Sequence, residues 1–390
     1  MIPRRRYEHL ADVAAVMSRP GTAQSEWQKG VARRLATALS LHTSDSVMLH
    51  GSGRAAMLWV LEARGVAPGA TVIVPAWTFA GVPRALRAAG YDVVFADVGM
   101  RAPAMTVQTL DRAWRPGVRA ILLTHLFGEV HEPTAIARWA ETRRVEVIED
   151  CAHAAGSSWA DAPVGTLGGG ALYSLDVLKP IAALGGGISV VRDGQGARGA
   201  AVADGSNALF ARKVVSALVE IALFQPRVVR RGERLAAGAG GRLIAAVDTR
   251  VRRGQPTAAF HNLQGRIATR QAASLPNRLS RRRDMAARVA RALELDADRF
   301  EGHGEAQANA YFLILRAPPG DALRVRHELA IAGVDSGFGA AIADLLQPAA
   351  TNAKAWAATA LQLPCGAGYS EAEIQRLCSI LRRFRGRLTW

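Results

Sequence analysis

Lysine is nearly missing from this chain. It has 49 basic residues, and all are arginine except Lys29, Lys179, Lys213 and Lys354. Cysteine is scarce too. Cys151, Cys365 and Cys378 lie far apart with no metal-ligand spacing. That argues against a disulfide framework and a bound metal, and for a reducing compartment. No stretch reaches the ~18 consecutive apolar residues of a membrane span. The first residues, MIPRRRYEHLADVAAVM, show no long apolar run after their arginines, so they do not read as a secretory signal. A cytoplasmic protein is the expectation.

What is present fits a globular chain. Its 390 residues are long enough for two domains and a large core. Apolar residues make up 49% and charged residues 21%. The formal net charge is +16. Such a charge suits nucleic acid, an anionic membrane surface or phosphorylated substrates. A general drift toward arginine explains it equally well, because the arginines are spread along most of the chain. No nucleic-acid recognition motif appears and aromatics are only 6%, so a nucleic-acid partner is not expected.

The most informative stretch runs from Val145 to Gly187. An apolar run, Val145 to Ile148, ends in Glu149 and Asp150. A glycine-rich turn follows, then a short strand, Ala171 to Leu175, then Lys179 and at once Gly185, Gly186 and Gly187. A carboxylate at a strand's C-terminal end and a lysine after a nearby strand suit a pyridoxal phosphate site. The acid keeps the pyridine nitrogen protonated, and the lysine carries the aldehyde covalently. Arginine cannot replace that lysine, since its guanidinium stays protonated and is a poor nucleophile. A surface lysine at a strand end is the plainer alternative.

Around this stretch the chain alternates. Residues 1–44 read as an arm and a helix, Trp27 to Leu39. Strands are predicted at Ser46 to His50, Thr71 to Val74, Val93 to Ala96, Arg119 to Thr124 and Val145 to Glu149. Helices fall between them at Arg54 to Arg64, Ala80 to Ala89 and Glu132 to Arg143. This pattern predicts a mostly parallel sheet covered on both faces. The Gly51–Ser52–Gly53 turn opens a helix and would present free N–H groups to an anion such as a cofactor phosphate. Trp77, Phe79, His125 and Asp150 fall just after strand ends, on the edge where open α/β sheets hold ligands. A long helix from Ala268 to Leu293, broken or kinked at Pro276, links residues 45–267 to a small α+β domain in 268–390. There the sequence predicts strands at Tyr311 to Leu315 and Leu361 to Leu363, and helices at Ala322 to Ala332 and Ser370 to Phe384. Ser370 and Glu373 have capping-box spacing.

Residues 207–256 break the pattern. Val214 to Phe224 is apolar with one acid, and Arg227, Arg230, Arg231 and Arg234 follow. Two readings stand. The segment docks through 214–234 on the inner face of an anionic membrane, or it packs on its own protein or a second subunit.

Several segments together resemble the DegT-type nucleotide-sugar aminotransferases, which are fold type I pyridoxal phosphate enzymes. They are GSGRAAMLWVLEARGVAPGATVIVPAWTFAG, VVFADV, IEDCAHAAGS, VGTLGGGALYSLDVLKPIAALGGG and, near the end, LQLPCGAGYSEAEIQRL. The resemblance implies an α/β fold with a mostly parallel seven-stranded sheet and pyridoxal 5'-phosphate as cofactor. It also implies a homodimer with shared sites. Lys179 then resembles the cofactor-bearing lysine, and Asp150 the acid on the pyridine nitrogen. His153 stands where a glutamine usually bonds the ring's phenolic oxygen. Phe79 is similar to the aromatic stacked on the ring, and Ser174 to the phosphate-binding hydroxyl. Gly53 and Arg54 match the pair whose N–H groups hold the phosphate. The chain departs from the family at three places. Arg54 replaces a threonine. Gln264, with Asn262 close by, replaces the asparagine that reaches a neighbouring subunit's phosphate. Gly337 to Leu346 replaces a tyrosine–proline–histidine substrate stretch.

The expected function is transfer of an amino group, from glutamate, to a keto-sugar carried on a nucleotide. Other pyridoxal phosphate chemistries are rivals. The dehydratases of the family carry histidine in place of the lysine, and a sulfur-transferring lyase needs a reactive cysteine on a mobile loop. A non-catalytic basic scaffold or regulator that kept the fold is the rival from another class.

Overall fold

The structure is a computed structural model, and it describes residues 1–3, 8, 10–18, 27–42, 44–192, 205–223, 259–338 and 350–390. Two helices open the chain, α1 (Leu10–Met17) and α2 (Trp27–Ala38). Then come β1 (Ser46–His50), α3 (Gly53–Ala63), β2 (Thr71–Pro75), α4 (Gly81–Ala88), β3 (Asp92–Ala96), α5 (Val107–Ala113), β4 (Val118–Thr124), α6 (Pro133–Arg143) and β5 (Glu146–Asp150). A two-stranded excursion, β6 (Ser158–Trp159) and β7 (Ala162–Pro163), precedes β8 (Gly170–Ser174) and β9 (Gly187–Val191).

Seven of these strands form one sheet in the order β1-β9-β8-β5-β4-β2-β3. All run parallel except β9, which is antiparallel to β1 and β8. Apolar runs make this possible. In β2, successive residues bury on opposite faces. Val72 and Val74 pack with Met57, Val60 and Leu61 of α3, while Ile73 packs with Leu110 of α5 and Ile136 of α6. A strand buried on both faces needs an unbroken apolar run, which Val72, Ile73 and Val74 provide. The side-chain oxygen of Ser52 accepts from the Ala55 N–H at 3.1 Å and starts α3. Gly65, at φ 73°, lies just past its end.

The second half begins with α7 (Asn207–Leu223), then α8 (Asn262–Ala273) and α9 (Leu275–Ala292). Where one kinked helix from Ala268 was expected, there are two, and the first starts at Asn262. His261 caps it: its ring accepts from the Leu263 N–H, and Gln264 bonds back to the His261 N–H. Pro276 falls in the first turn of α9, where no intrahelical N–H is needed. The rest comprises α10 (Asp298–Glu301), β10 (Ala306–Gln307), β11 (Leu313–Arg316), α11 (Ala322–Ile331), β12 (Gly337–Phe338), α12 (Thr351–Thr359), β13 (Ala360–Leu363) and α13 (Glu371–Leu381). β11, β13 and β12 make an antiparallel sheet. Leu315, Leu361 and Leu363 join Met285, Val289, Leu329 and Leu377 in a core of their own. The Ser370–Glu373 capping box forms at the start of α13, a contact of about 1 kcal/mol.

Among the described residues no helix is long and apolar enough to cross a membrane. Arg227, Arg230, Arg231 and Arg234, and Gly337 to Leu346 beyond Phe338, lie outside the described residues.

Candidate active site

The parallel strands all end on one edge, and the candidate residues gather there. Asp150 is the last residue of β5, level with Thr124 of β4 and Leu172 of β8. Ser174 ends β8 opposite Gly187, the first residue of β9, and His50 of β1 is Gly187's other neighbour. Gly53 opens α3 just beyond. The approach there is close. A Cβ on Gly53 would sit 3.1 Å from Cβ of Ser174 and 3.3 Å from its Oγ. A Cβ on Gly187 would sit 2.5 Å from the Ser52 carbonyl oxygen. Only glycine lets the α3 N-terminus and the Ser174 hydroxyl share one small cradle.

Lys179 lies in the loop between β8 and β9, and that loop is pinned along its length. The Leu175 carbonyl accepts from Ala183 N–H at 2.8 Å and Gly185 N–H at 3.0 Å, and the Leu175 N–H donates to Gly186. Arg278 of α9 donates to the Pro180 carbonyl at 2.9 Å, directly after Lys179. The Gln264 amide nitrogen donates to Ala183 and Gly185 carbonyls at 3.1 and 2.8 Å. Its oxygen accepts from the His261 N–H and the Lys213 ammonium, both at 3.2 Å. Gln264 is fully buried. Its amide is thus engaged within the chain and braces the lysine loop. Asn262, one turn edge away, has a buried Oδ1 with no partner among the described residues.

Asp150 is buried, and burial pushes its carboxyl above the usual range. The Ala152 N–H at 3.0 Å, the charge of Lys179 and His125 pull the other way. A buried carboxyl in that position gains most from a cation placed against it. Its neighbour Glu149 behaves differently. Burial raises it, but the hydrogen bond and charge of His125 and the N–H groups of Gly165 and Gly168 outweigh that and hold it low. His125 Nε2 sits 2.9 Å from Glu149 Oε2, and the N–H groups of Gly165, Leu167 and Gly168 donate at 2.9, 2.7 and 2.9 Å. Glu149 therefore folds the glycine turn that leads into β8. Without it, those buried donors would be stranded. Sequence reading named the acid but not this role; its place one residue before Asp150 gave no signal.

His153 stands between Phe127 and Phe312, with ring centroids at 6.2 and 4.9 Å. The Phe127 N–H donates to Nδ1 at 3.3 Å, which favours the tautomer with hydrogen on Nε2. Asn309 holds the His153 carbonyl at 2.7 Å. Phe79 is half-buried and its ring rests on Gly81, where a Cβ would come within 2.4 Å of it. Arg54 follows Gly53 on α3, its guanidinium held down by burial and in the field of the exposed Asp176. Gly53, Arg54, Ser174 and Lys179 thus share the sheet edge with Asp150. Arg278, Glu149 and Lys213 are the participants that sequence reading did not single out. Cys151 is buried, and burial, with the charges of Glu149 and Asp150, pushes its thiol well above its ordinary value. The other two cysteines are buried as well.

The residues fit pyridoxal phosphate. A cradle that a single Cβ would fill suits a phosphate. A buried acid raised by burial suits a ring cation, and a lysine fixed within that acid's field suits the aldehyde.

Solved structures agree on the fold: an aminotransferase, TlmJ, from Streptoalloteichus hindustanus matches with TM-score 0.69 at 22% identity, over 98% of this chain and 96% of its own. DesV from S. venezuelae matches with TM-score 0.69 at 20% identity, over 97% and 95%. The chain belongs to the DegT/DnrJ/EryC1/StrS aminotransferase family, whose family model matches residues 10–207. Among curated relatives, the UDP-N-acetyl-3-dehydro-alpha-D-glucosamine 3-aminotransferase of Acidithiobacillus ferrooxidans is 35% identical over 145 residues. The dTDP-4-dehydro-2,3,6-trideoxy-D-glucose 4-aminotransferase of Saccharopolyspora spinosa is 32% identical over 149 residues. These matches take in 37% and 38% of this chain and span only 39% of each relative.

Proposed function

We propose that this chain is a pyridoxal phosphate–dependent aminotransferase that moves an amino group, from glutamate, to a keto-sugar carried on a nucleotide. The observation that carries the reading is Lys179 fixed within the field of a buried Asp150, beside the Gly53–Ser174 cradle. When bound, the cofactor supplies a ring that withdraws the electrons of the bond broken at the donor carbon. The chain's residues do the rest. Asp150 holds a proton on the pyridine nitrogen. His153 donates from Nε2 to the ring oxygen, and Phe79 covers the ring face. Gly53, Arg54 and Ser174 hold the phosphate. Lys179 would hold the cofactor's aldehyde and, as a free amine, would carry the proton between carbons.

The buried, neutral cysteine thiols speak against sulfur transfer, and Lys179 speaks against a dehydratase. One relative, 34% identical over 144 residues, is named a pleiotropic regulatory protein of Geobacillus stearothermophilus, which keeps a regulator as the second reading. Incubating the purified, cofactor-loaded protein with glutamate and a panel of nucleotide keto-sugars tests both. Loss of visible absorbance with glutamate, and its return with one keto-sugar, is expected. A colourless protein that cofactor cannot load favours the regulator.

A homodimer in the cytoplasm completes the proposal, with α7 packed on the protein or its partner, or docked on the inner membrane face. The unpartnered Asn262 oxygen at the start of α8 supports the dimer. On α7, Phe210 is buried and Val214 packs on the core, while Val215 and Leu218 are 60% and 57% exposed. Those two face solvent in the single chain and suit either the partner or a lipid surface. Sedimentation of the protein with and without anionic liposomes separates them. A dimer that leaves anionic liposomes untouched at low salt rules the membrane out, and an active monomer rules out the dimer.

A further inference from the structure

We infer that Lys213 is a further ligand of the cofactor phosphate, supplied by the same chain from helix α7. The inference rests on the pyridoxal phosphate reading. Its ammonium lies 3.2 Å from the carbonyl oxygen of Gly51, two residues before the Gly53 that opens α3. It lies 3.2 Å from Gln264 Oε1, on the residue that braces the lysine loop. The stem runs past Gly185, whose Cβ position is 3.5 Å from Lys213 Cδ. The side chain is therefore placed between the Gly51–Gly53 turn and the Gly185 turn, which flank the cradle. These contacts use two of the ammonium's three hydrogens.

The rest of α7 holds it there. Phe210, one turn earlier, is buried and stacks on His261 with ring centroids 4.7 Å apart. Asn207 at the helix start bonds His261 Nε2 at 2.9 Å. His261 caps α8 and so sets Gln264 as well. One aromatic stack thus fixes both the lysine and its acceptor.

The electrostatics agree. Burial lowers the Lys213 ammonium to about 8, with only Asp176 opposing. The Arg54 guanidinium is lowered by burial and opposed by the same Asp176. Both cations lie in the field of the exposed Asp176, close to a helix N-terminus that itself favours negative charge.

The test compares two ligands. Cofactor-free protein is titrated with pyridoxal phosphate and with pyridoxal, which lacks the phosphate, and binding is read by absorbance and borohydride trapping. Lys213→Gln removes the charge and shortens the side chain, and the pyridoxal arm reads out any loss that is merely structural. It is expected to weaken pyridoxal phosphate binding roughly ten- to a hundredfold, the range of a charged hydrogen bond, and to leave pyridoxal binding within about twofold. Lys213→Arg, which keeps a phosphate donor, is expected to recover most of the loss. Equal weakening of both ligands would make Lys213 a structural brace and overturn the inference, as would no change. A wild-type protein that traps neither ligand would instead remove the cofactor reading itself.

Discussion

Lys179→Arg is expected to abolish amino transfer while leaving the fold intact. The charge is kept, and the backbone bonds that pin the loop at Leu175, Pro180 and Ala183 do not involve the side chain. What is lost is a nucleophilic amine, because guanidinium does not deprotonate in proteins. The fall in turnover should be on the order of a thousandfold or more, as when a covalent catalyst loses its nucleophile. Single-turnover mixing of loaded protein with donor, followed by absorbance, measures it. Peptide mapping after borohydride treatment then locates the attachment. Lys213 is the competitor to exclude, since burial lowers its ammonium to about 8 and so leaves a share neutral near pH 8. Geometry separates the two. Lys213 hydrogen-bonds the Gly51 carbonyl beside the proposed phosphate cradle, whereas Lys179 acts on Asp150, the proposed partner of the ring. A label on Lys213, Lys29 or Lys354 in the wild-type protein would sink the assignment of Lys179.

The sheet was legible because burial on two faces leaves a plain mark. Val72 to Val74, Ala120 to Leu123 and Val147 to Ile148 read as strands with few alternatives. Of the seven, β9 carried the weakest signal, since it begins in the glycines that close the lysine loop and pairs antiparallel to both neighbours. Helix α8 was read six residues late because histidine is an uncommon cap, and only the structure shows His261 in that role. Candidates for chemistry stood out where a residue type is irreplaceable: one of four lysines in an arginine-rich chain, and an acid at a strand end. Bracing was not legible. Arg278 on Pro180, Asn309 on His153 and Glu149 on the glycine turn act across 98, 156 and 16 to 19 residues. No local pattern encodes such contacts. Gln264 was legible as a departure from the family, but its bonds to Ala183 and Gly185, across 81 and 79 residues, were not.

Asp150→Asn is expected to separate stability from catalysis. In the cofactor-free chain burial raises the Asp150 carboxyl above its ordinary value. A carboxyl raised in the folded state favours folding only while protonated, and that contribution is lost as pH rises through its folded value. At neutral pH its ionisation therefore opposes folding. Asparagine has no charge to bury, and its oxygen can still accept from the Ala152 N–H now 3.0 Å from Oδ1. Cofactor-free Asp150→Asn should thus melt at the same temperature as wild type or higher at pH 7. The difference should vanish below the usual carboxylate range, where the wild-type acid is also neutral. Catalysis should move the opposite way. The amide cannot hold a proton on the pyridine nitrogen, so the ring withdraws electrons poorly when the donor carbon loses its proton. A charge placed against a developing charge in a dry site contributes several kcal/mol, so single-turnover rates should fall about a thousandfold. Thermal melts of the cofactor-free proteins and stopped-flow mixing of the loaded ones give the two readings. A variant that melts well below wild type at pH 7 would make Asp150 a structural acid. A variant that keeps near-normal single-turnover rates would take the pyridine nitrogen away from it.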